Sequence, residues 1–308
     1  MAFDRLIEKA AKLQNPMVAG LDPKLDIIPE KIRERAFEQH GKTLEGAAAA
    51  ILECNKELID ALCDVVPAVK PQCAYYELYG WQGMKALRDT IAYADEKGMF
   101  VIADGIRSYF GNAMQAYAEA YLGETDVGGG RTPVFGADAL TVNGYFGSDG
   151  VKPLLRACRE FDKGIFVLVK TSNPSSNELQ NQAFEGGELL YEAMGRFCEQ
   201  WGEDLPGRYG YSGVGAVIQP TWPNQLRDLR RMMPHTLFLI PEYESGSADD
   251  ITPAFNANGL GAMVSTSRPL FCAWKKMGAP QEDFAKCARE SAIRTRDEIM
   301  AHIGAIRL

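Results

Sequence analysis

Short apolar runs that each end in polar or glycine residues recur along the chain: Val18–Asp22, Ala68–Gln72, Met99–Gly105, Ala139–Gly144, Gly164–Ser172, Gly215–Pro220, Leu237–Glu242 and Gly261–Ser267. Nearly all are unbroken stretches of apolar side chains. A strand tolerates that pattern only when both its faces are covered, as in a parallel sheet flanked by helices. Segments of helical period lie between most of them, at Leu44–Cys63, Trp81–Glu96, Asn112–Leu122, Val151–Phe161, Gly186–Trp201, Asn224–Met233 and Ile251–Asn256. Eightfold alternation of strand and helix predicts an α/β fold, the (β/α)8 or TIM barrel, with closing helices over Phe271–Ile306. An open doubly wound sheet is the structural alternative. No low-complexity linker or composition break divides residues 1–308, so they read as a single barrel domain with an N-terminal helix. Gly123–Thr132, with its Gly128-Gly129-Gly130 run, reads as a flexible connection.

Composition narrows what such a barrel acts on. With 41 acidic against 33 basic side chains, a net charge of -8, neither nucleic acid nor an anionic membrane is expected as the main partner. No stretch approaches the ~18–20 apolar residues of a membrane span. The opening MAFDRLIEKAAKLQNP alternates charged and apolar residues at helical spacing, without the apolar core of an export signal. The seven cysteines are scattered and never form C-x-x-C, which fits reduced, buried thiols in the cytoplasm. Only three histidines are present, leaving few routes to a metal site or a histidine triad, and neither metal nor cofactor is expected.

In a parallel barrel the C-terminal strand ends make the active-site face. In chain order those ends carry Asp22, Lys70, Asp104, Asn143, Thr171-Ser172-Asn173, Gln219, Glu242 and Ser267-Arg268. A single lysine after an apolar strand reads as a snorkelling surface group. Two carboxylates, a lysine, amides, hydroxyls and an arginine converging on one rim read as a ligand site.

These residues lie in six blocks: G-L-D-P at Gly20–Pro23, V-K-P-Q with A-Y-Y-E-L-Y-G at Val69–Gly80, T-V-N-G-Y-F-G at Thr141–Gly147, K-T-S-N-P-S-S at Lys170–Ser176, Y-G-Y-S-G-V-G-A-V at Tyr209–Val217, and S-T-S-R at Ser265–Arg268. In this order, from about Val18 to Cys272, the chain resembles orotidine 5'-phosphate decarboxylase in its longer bacterial form. The resemblance implies a carbon–carbon lyase scaffold: a (β/α)8 barrel that forms a homodimer with its sites at the interface and takes a small-molecule nucleotide. It places Asp22 and Lys70 against ribose hydroxyls, Asn143 among the substrate-binding groups, Ser172 on the pyrimidine edge and Arg268 on the phosphate.

The chain departs from the family pattern at two places. After the third strand the family carries D-x-K-R-x-D-I-G, whose carboxylates crowd the substrate carboxylate while the lysine stabilises the carbanion and returns a proton. Here Asp104–Gly111 reads D-G-I-R-S-Y-F-G. Asp104 is kept, Ile106 stands at the lysine position and Tyr109 at the second aspartate. Isoleucine neither carries charge nor donates a proton. Arg107 follows it and should point to the opposite side, and a guanidinium is a poor acid. Lys70 is the remaining acid, and Tyr109 either closes the pocket or packs at an interface.

The second departure is the phosphate grip, P-G-x-G-A-Q-G-G in the family and P-E-Y-E-S-G at Pro241–Gly246 here. Glu242 and Glu244 would each repel a phosphate by roughly 1–4 kcal/mol per close pair. Pro269 follows Arg268 and removes an amide donor. Gln219-Pro220-Thr221-Trp222-Pro223 replaces the family's G-A-T-Y-P.

Three readings follow. The favoured one is a repurposed lyase, hydrolase or isomerase acting on a nucleotide, nucleoside or related sugar-linked heterocycle. Asp104 and Lys70 would be its catalytic groups, with Glu242 or Glu244 and Tyr109 as newcomers and Gln219 among the substrate-binding residues. The second is genuine orotidine 5'-phosphate decarboxylation to UMP by an altered site, and the third a non-catalytic ligand-binding homologue or partner subunit. His40, His235 and His302 read as surface or structural, Cys73 as a buried thiol, and Tyr75, Tyr76 and Tyr79 as packing.

Overall fold

The computed structural model describes every residue except 220–222 and 244–246. Eight parallel strands close into a barrel: β1 Met17–Leu21, β2 Ala68–Pro71, β3 Phe100–Arg107, β4 Ala139–Val142, β5 Gly164–Lys170, β6 Val214–Ile218, β7 Phe238–Ile240 and β8 Ala262–Thr266. Each strand pairs with its neighbours in sequence, and β8 closes on β1 with Met17 opposite Val264. These are the eight apolar runs, most of them trimmed at their polar ends, whereas β3 continues past Gly105 to Arg107. An open sheet is thereby ruled out.

The barrel owes its two-sided burial to two apolar layers. The strands' outer faces, with Val69, Val101, Leu140, Val167 and Val264, pack under the helices that ring the barrel. In order, the helices are α1 Ala2–Leu13, α2 Glu30–His40, α3 Leu44–Leu62, α4 Gly80–Glu96, α5 Gly111–Tyr121, α6 Ser148–Phe161, α7 Leu190–Gly202, α8 Pro223–Met232 and α9 Phe284–Ile303. Inward-facing Val18, Phe100, Ile102, Phe166, Leu239 and Met263 form the inner layer, which Phe3 and Leu6 of α1 join. Phe3 meets Phe166 with ring centroids 4.6 Å apart. Two glycines make this possible. A Cβ on Gly164 would lie 2.7 Å from the Phe3 ring, and one on Gly215 would lie 2.5 Å from Phe166.

Some boundaries differ from the sequence expectation. The expected helix Gly186–Trp201 begins only at Leu190, because Gly186 and Gly187 take φ of 104° and 91° and belong to a turn. The expected helix Ile251–Asn256 is a short helix Ala248–Ile251 followed by a 3-10 turn, Thr252–Ala254, with Pro253 in its first turn. The Gly123–Thr132 connection is an antiparallel hairpin, Thr125–Asp126 against Arg131–Thr132, whose turn is held by the Gly128 amide on Asp126 Oδ1 at 2.7 Å. Helix α2, which carries few apolar residues at a single face, had no clear signal in its charged sequence. No helix among the described residues is long and apolar enough to cross a membrane.

Candidate active site

Strand register brings the first two basic and acidic ends together. Lys70 lies beside Gly20 of β1, where a Cβ would come within 2.8 Å of Ser267, and Asp104 sits opposite Gln72 just beyond β2. The Lys70 ammonium and Asp104 Oδ2 form a buried ion pair. The other Asp104 oxygen, Oδ1, accepts from Thr141 Oγ1 at 2.7 Å, and that hydroxyl accepts from the Ile106 amide at 3.0 Å. Burial pulls the Lys70 pKa down, but the charges of Asp104 and Asp22 outweigh it and hold the pKa above the ordinary value of 10.5. The lysine is therefore an ammonium throughout the neutral range, fixed by carboxylates at the mouth of the barrel.

Asp22, just past β1, is the strained member. Its carboxyl is pushed above the usual range, first by burial and further by Asp104, while Lys70 and a hydrogen bond from Ser267 pull it down. Its Oδ1 is buried with no hydrogen-bond partner. A folded state that binds this proton more tightly than the unfolded chain loses stability as pH rises from the unfolded pKa through the folded one. Asp22→Asn is therefore expected to raise Tm at pH 7 by about 2–4 °C, with the gain fading as pH falls toward about 3.9. A Tm that is unchanged or lower at pH 7, followed by calorimetry, would show that the carboxylate is well tolerated.

The segment after Asp104 is bent out of regular strand geometry. Ile106 takes φ of 43°, a region that β-branched residues rarely enter, and the β3–β4 register shifts between Ala103 and Arg107. Ile106 stays 36% exposed at the rim. Arg107 turns outward, as its place after a strand-face residue predicts. Its guanidinium pairs with Glu77, donates to the Tyr121 hydroxyl at 2.7 Å and lies over the Tyr117 ring. It is thus removed from the Lys70–Asp104 pair.

The other rim residues fall into separate groups. Ser172, Gln219 and Glu242 are joined: Gln219 Oε1 accepts from the Ser172 amide and, at 2.8 Å, from its hydroxyl, and Gln219 Nε2 donates to Glu242 Oε2 at 2.9 Å. Asn143 Oδ1 caps the turn after β4 by accepting from the Tyr145 amide at 3.0 Å. Arg268 is exposed at the start of a short helix. Tyr109 stacks on Phe110 with centroids 5.0 Å apart and meets Phe146 at 5.9 Å, so its ring belongs to an exposed aromatic patch. Residues 220–222 and Glu244, also singled out in the sequence, lie outside the described residues.

One residue of this site, Thr141, carried no clear sequence signal, and the backbone of another, Glu242, was hinted at only by a motif. Thr141 sits in a strand as an ordinary β-former, and its link to Asp104 is visible only once β3 and β4 are paired. Glu242 adopts φ of 57° at the place of the grip motif's first glycine, so the motif itself held the hint of a left-handed backbone. The remaining candidates are structural in their contacts. His235 Nδ1 lies 2.6 Å from Glu199, and burial pushes the Cys73 thiol up to about 11. Tyr76 is buried and accepts from Asn55 at 2.8 Å. Among the described residues no cluster of three or more His, Cys, Asp or Glu side chains is arranged to hold a metal.

Comparison with known proteins places this rim in a lineage. The family model described as orotidine 5'-phosphate decarboxylase / HUMPS family matches residues 37–267. The orotidine 5'-phosphate decarboxylase of Rhodopirellula baltica is 40% identical over 274 residues, 88% of this chain and 87% of that protein. The enzyme of the same name from Caldicellulosiruptor bescii is 34% identical over 302 residues, covering 97% of this chain and 98% of its own. Among solved structures, the OMP decarboxylase of Leishmania donovani superposes with a TM-score of 0.72 at 29% identity, over 96% of this chain and 98% of that one. A closed barrel, a buried lysine–aspartate pair at its mouth and matches along nearly the whole length agree: the chain belongs to the orotidine 5'-phosphate decarboxylase / HUMPS family.

Proposed function

We propose that the protein decarboxylates orotidine 5'-phosphate to UMP, with Lys70 as the acid and Asp104 as its carboxylate partner. The observation that carries this reading is the buried Lys70–Asp104 pair with Asp22 beside it. Identity of 40% to a decarboxylase over most of both chains supports it over the repurposed reaction favoured from the motifs alone. In the proposed step the C6–carboxylate bond breaks, CO2 leaves and the electron pair stays on C6. The Lys70 ammonium stabilises that charge and transfers a proton to C6, and water reprotonates the amine. Asp104, held against Lys70, disfavours the substrate carboxylate and is relieved when CO2 departs. Arg268, as the exposed cation of the rim, takes the phosphate, and Asp22 the ribose hydroxyls. A homodimer in a reducing, cytoplasmic setting belongs to the same proposal. The exposed Tyr109, Phe110, Tyr145 and Phe146 patch beside the site and seven free cysteines support it.

One observation favours a second reading, a different reaction on a related sugar-linked heterocycle. Ile106 brings no charge to the place where the resemblance puts the proton-delivering lysine, and it is exposed there. The purified protein is incubated with orotidine 5'-phosphate while loss of orotate absorbance and appearance of UMP are followed. Equimolar UMP that vanishes with Asp104→Ala from the same preparation supports decarboxylation. Folded protein that binds UMP but forms none from the substrate leaves the second reading standing.

A further inference from the structure

Two hydrogen-bond donors and one carboxylate determine how the Gln219 amide is oriented. A backbone N–H can only donate, so the atom facing the Ser172 amide must be the carbonyl oxygen Oε1. The opposite end meets Glu242 Oε2 at 2.9 Å and must be the NH2 group. Both ends agree on one orientation. Because Oε1 cannot donate, the hydroxyl contact at 2.8 Å is Ser172 Oγ–H donating to it. Both donors of Ser172 are thus spent on Gln219, and only the lone pairs of its hydroxyl and carbonyl remain to meet a ligand.

Glu242 occupies a left-handed backbone position, φ 57°, that glycine takes more readily than glutamate. Gln219 and Glu242 each stand where the resembled motifs have glycine, on neighbouring strand ends of β6 and β7. A pair of long polar side chains that bond to each other and to the serine of the next strand end is a built connection across β5, β6 and β7.

We propose that Gln219 and Glu242 are positioning residues that hold Ser172 as a pure acceptor, so that the site selects a heterocycle presenting an N–H donor at that edge. A 2,4-dioxopyrimidine satisfies the requirement with N3–H. A 4-aminopyrimidine presents a bare N3 acceptor there and does not. The inference rests on the proposed function only in placing the heterocycle at Ser172.

The test compares UMP with CMP by calorimetric titration. Wild type is expected to favour UMP by at least about tenfold, the loss expected when two acceptors face each other. Gln219→Met removes the lock at similar volume, frees the hydroxyl to rotate, and should bring the ratio within about threefold, chiefly by improving CMP. Glu242→Leu lowers the ratio, and Glu242→Gln, which keeps an acceptor, restores it. Equal binding of both nucleotides to wild type, or a Gln219→Met variant that weakens both alike, overturns the proposal. If neither nucleotide binds, it is the proposed function that fails. The lock is then read without ligand from hydrogen exchange of the Ser172 amide, expected to be at least about tenfold faster in Gln219→Met. Equal exchange overturns the lock.

Discussion

Lys70→Met is expected to lower kcat for orotidine 5'-phosphate by about 10⁴-fold, the upper range for loss of a positioned general acid. The lysine is the cation bound directly to Asp104 in this rim, and Arg107 is engaged by Glu77 and Tyr121 on the outer side. The substitution also strands two carboxylates. Removing one partner of a buried pair costs about 3–5 kcal/mol, because the remaining charge is left uncompensated. The sign of the pH dependence follows from the raised Lys70 pKa. A lysine stabilised in the folded state contributes its full share below its unfolded pKa, and that share is lost only as pH climbs through the higher folded value. The Tm deficit of Lys70→Met should therefore persist across pH 7 to 9 and shrink only in strong alkali. Turnover within tenfold of wild type would remove Lys70 from the chemistry.

Ile106→Lys is expected to act in the opposite direction, raising kcat at least about tenfold, or ~1.4 kcal/mol of barrier. The Ile106 amide is bonded to Thr141, whose hydroxyl is bonded to Asp104, so position 106 is two hydrogen bonds from the acid pair. A lysine there adds a second ammonium near the developing charge. It also relieves the backbone, since an unbranched side chain suits φ of 43° better than isoleucine does. Tm is expected to hold or rise. Steady-state kinetics on the variant decide the point: unchanged or lower turnover in a folded Ile106→Lys protein would mean that this position takes no part in proton delivery.

The barrel was legible because strands buried on both faces must be continuously apolar, and eight such runs with helical segments between most of them leave few alternatives. Lys70 and Asp104 were legible for the same reason, as polar residues that end apolar strands at one rim. What the sequence could not convey was pairing. Thr141 became a functional neighbour only through the β3–β4 register, and Gln219 and Glu242, though named separately, became one unit with Ser172 only when three strand ends were side by side. The helix boundary at Leu190 was misplaced because the preceding glycines carry no side chains to break a helical period. Glu242 shows the converse: its positive φ was implied by a glycine motif rather than by its own residue type.

The Phe3 plug has a consequence for how the chain assembles. Phe3 rests on Phe166 and Phe100, partners separated from it by more than half and nearly a third of the chain. Helix α1, which precedes β5 in the chain, must therefore wait until β5 exists before it can seal the inner layer. Long-range closure of this kind slows folding and keeps apolar surface exposed meanwhile. The half-buried charges of Arg5, Glu8 and Lys9 beside that apolar face are expected to limit its aggregation while the segment waits.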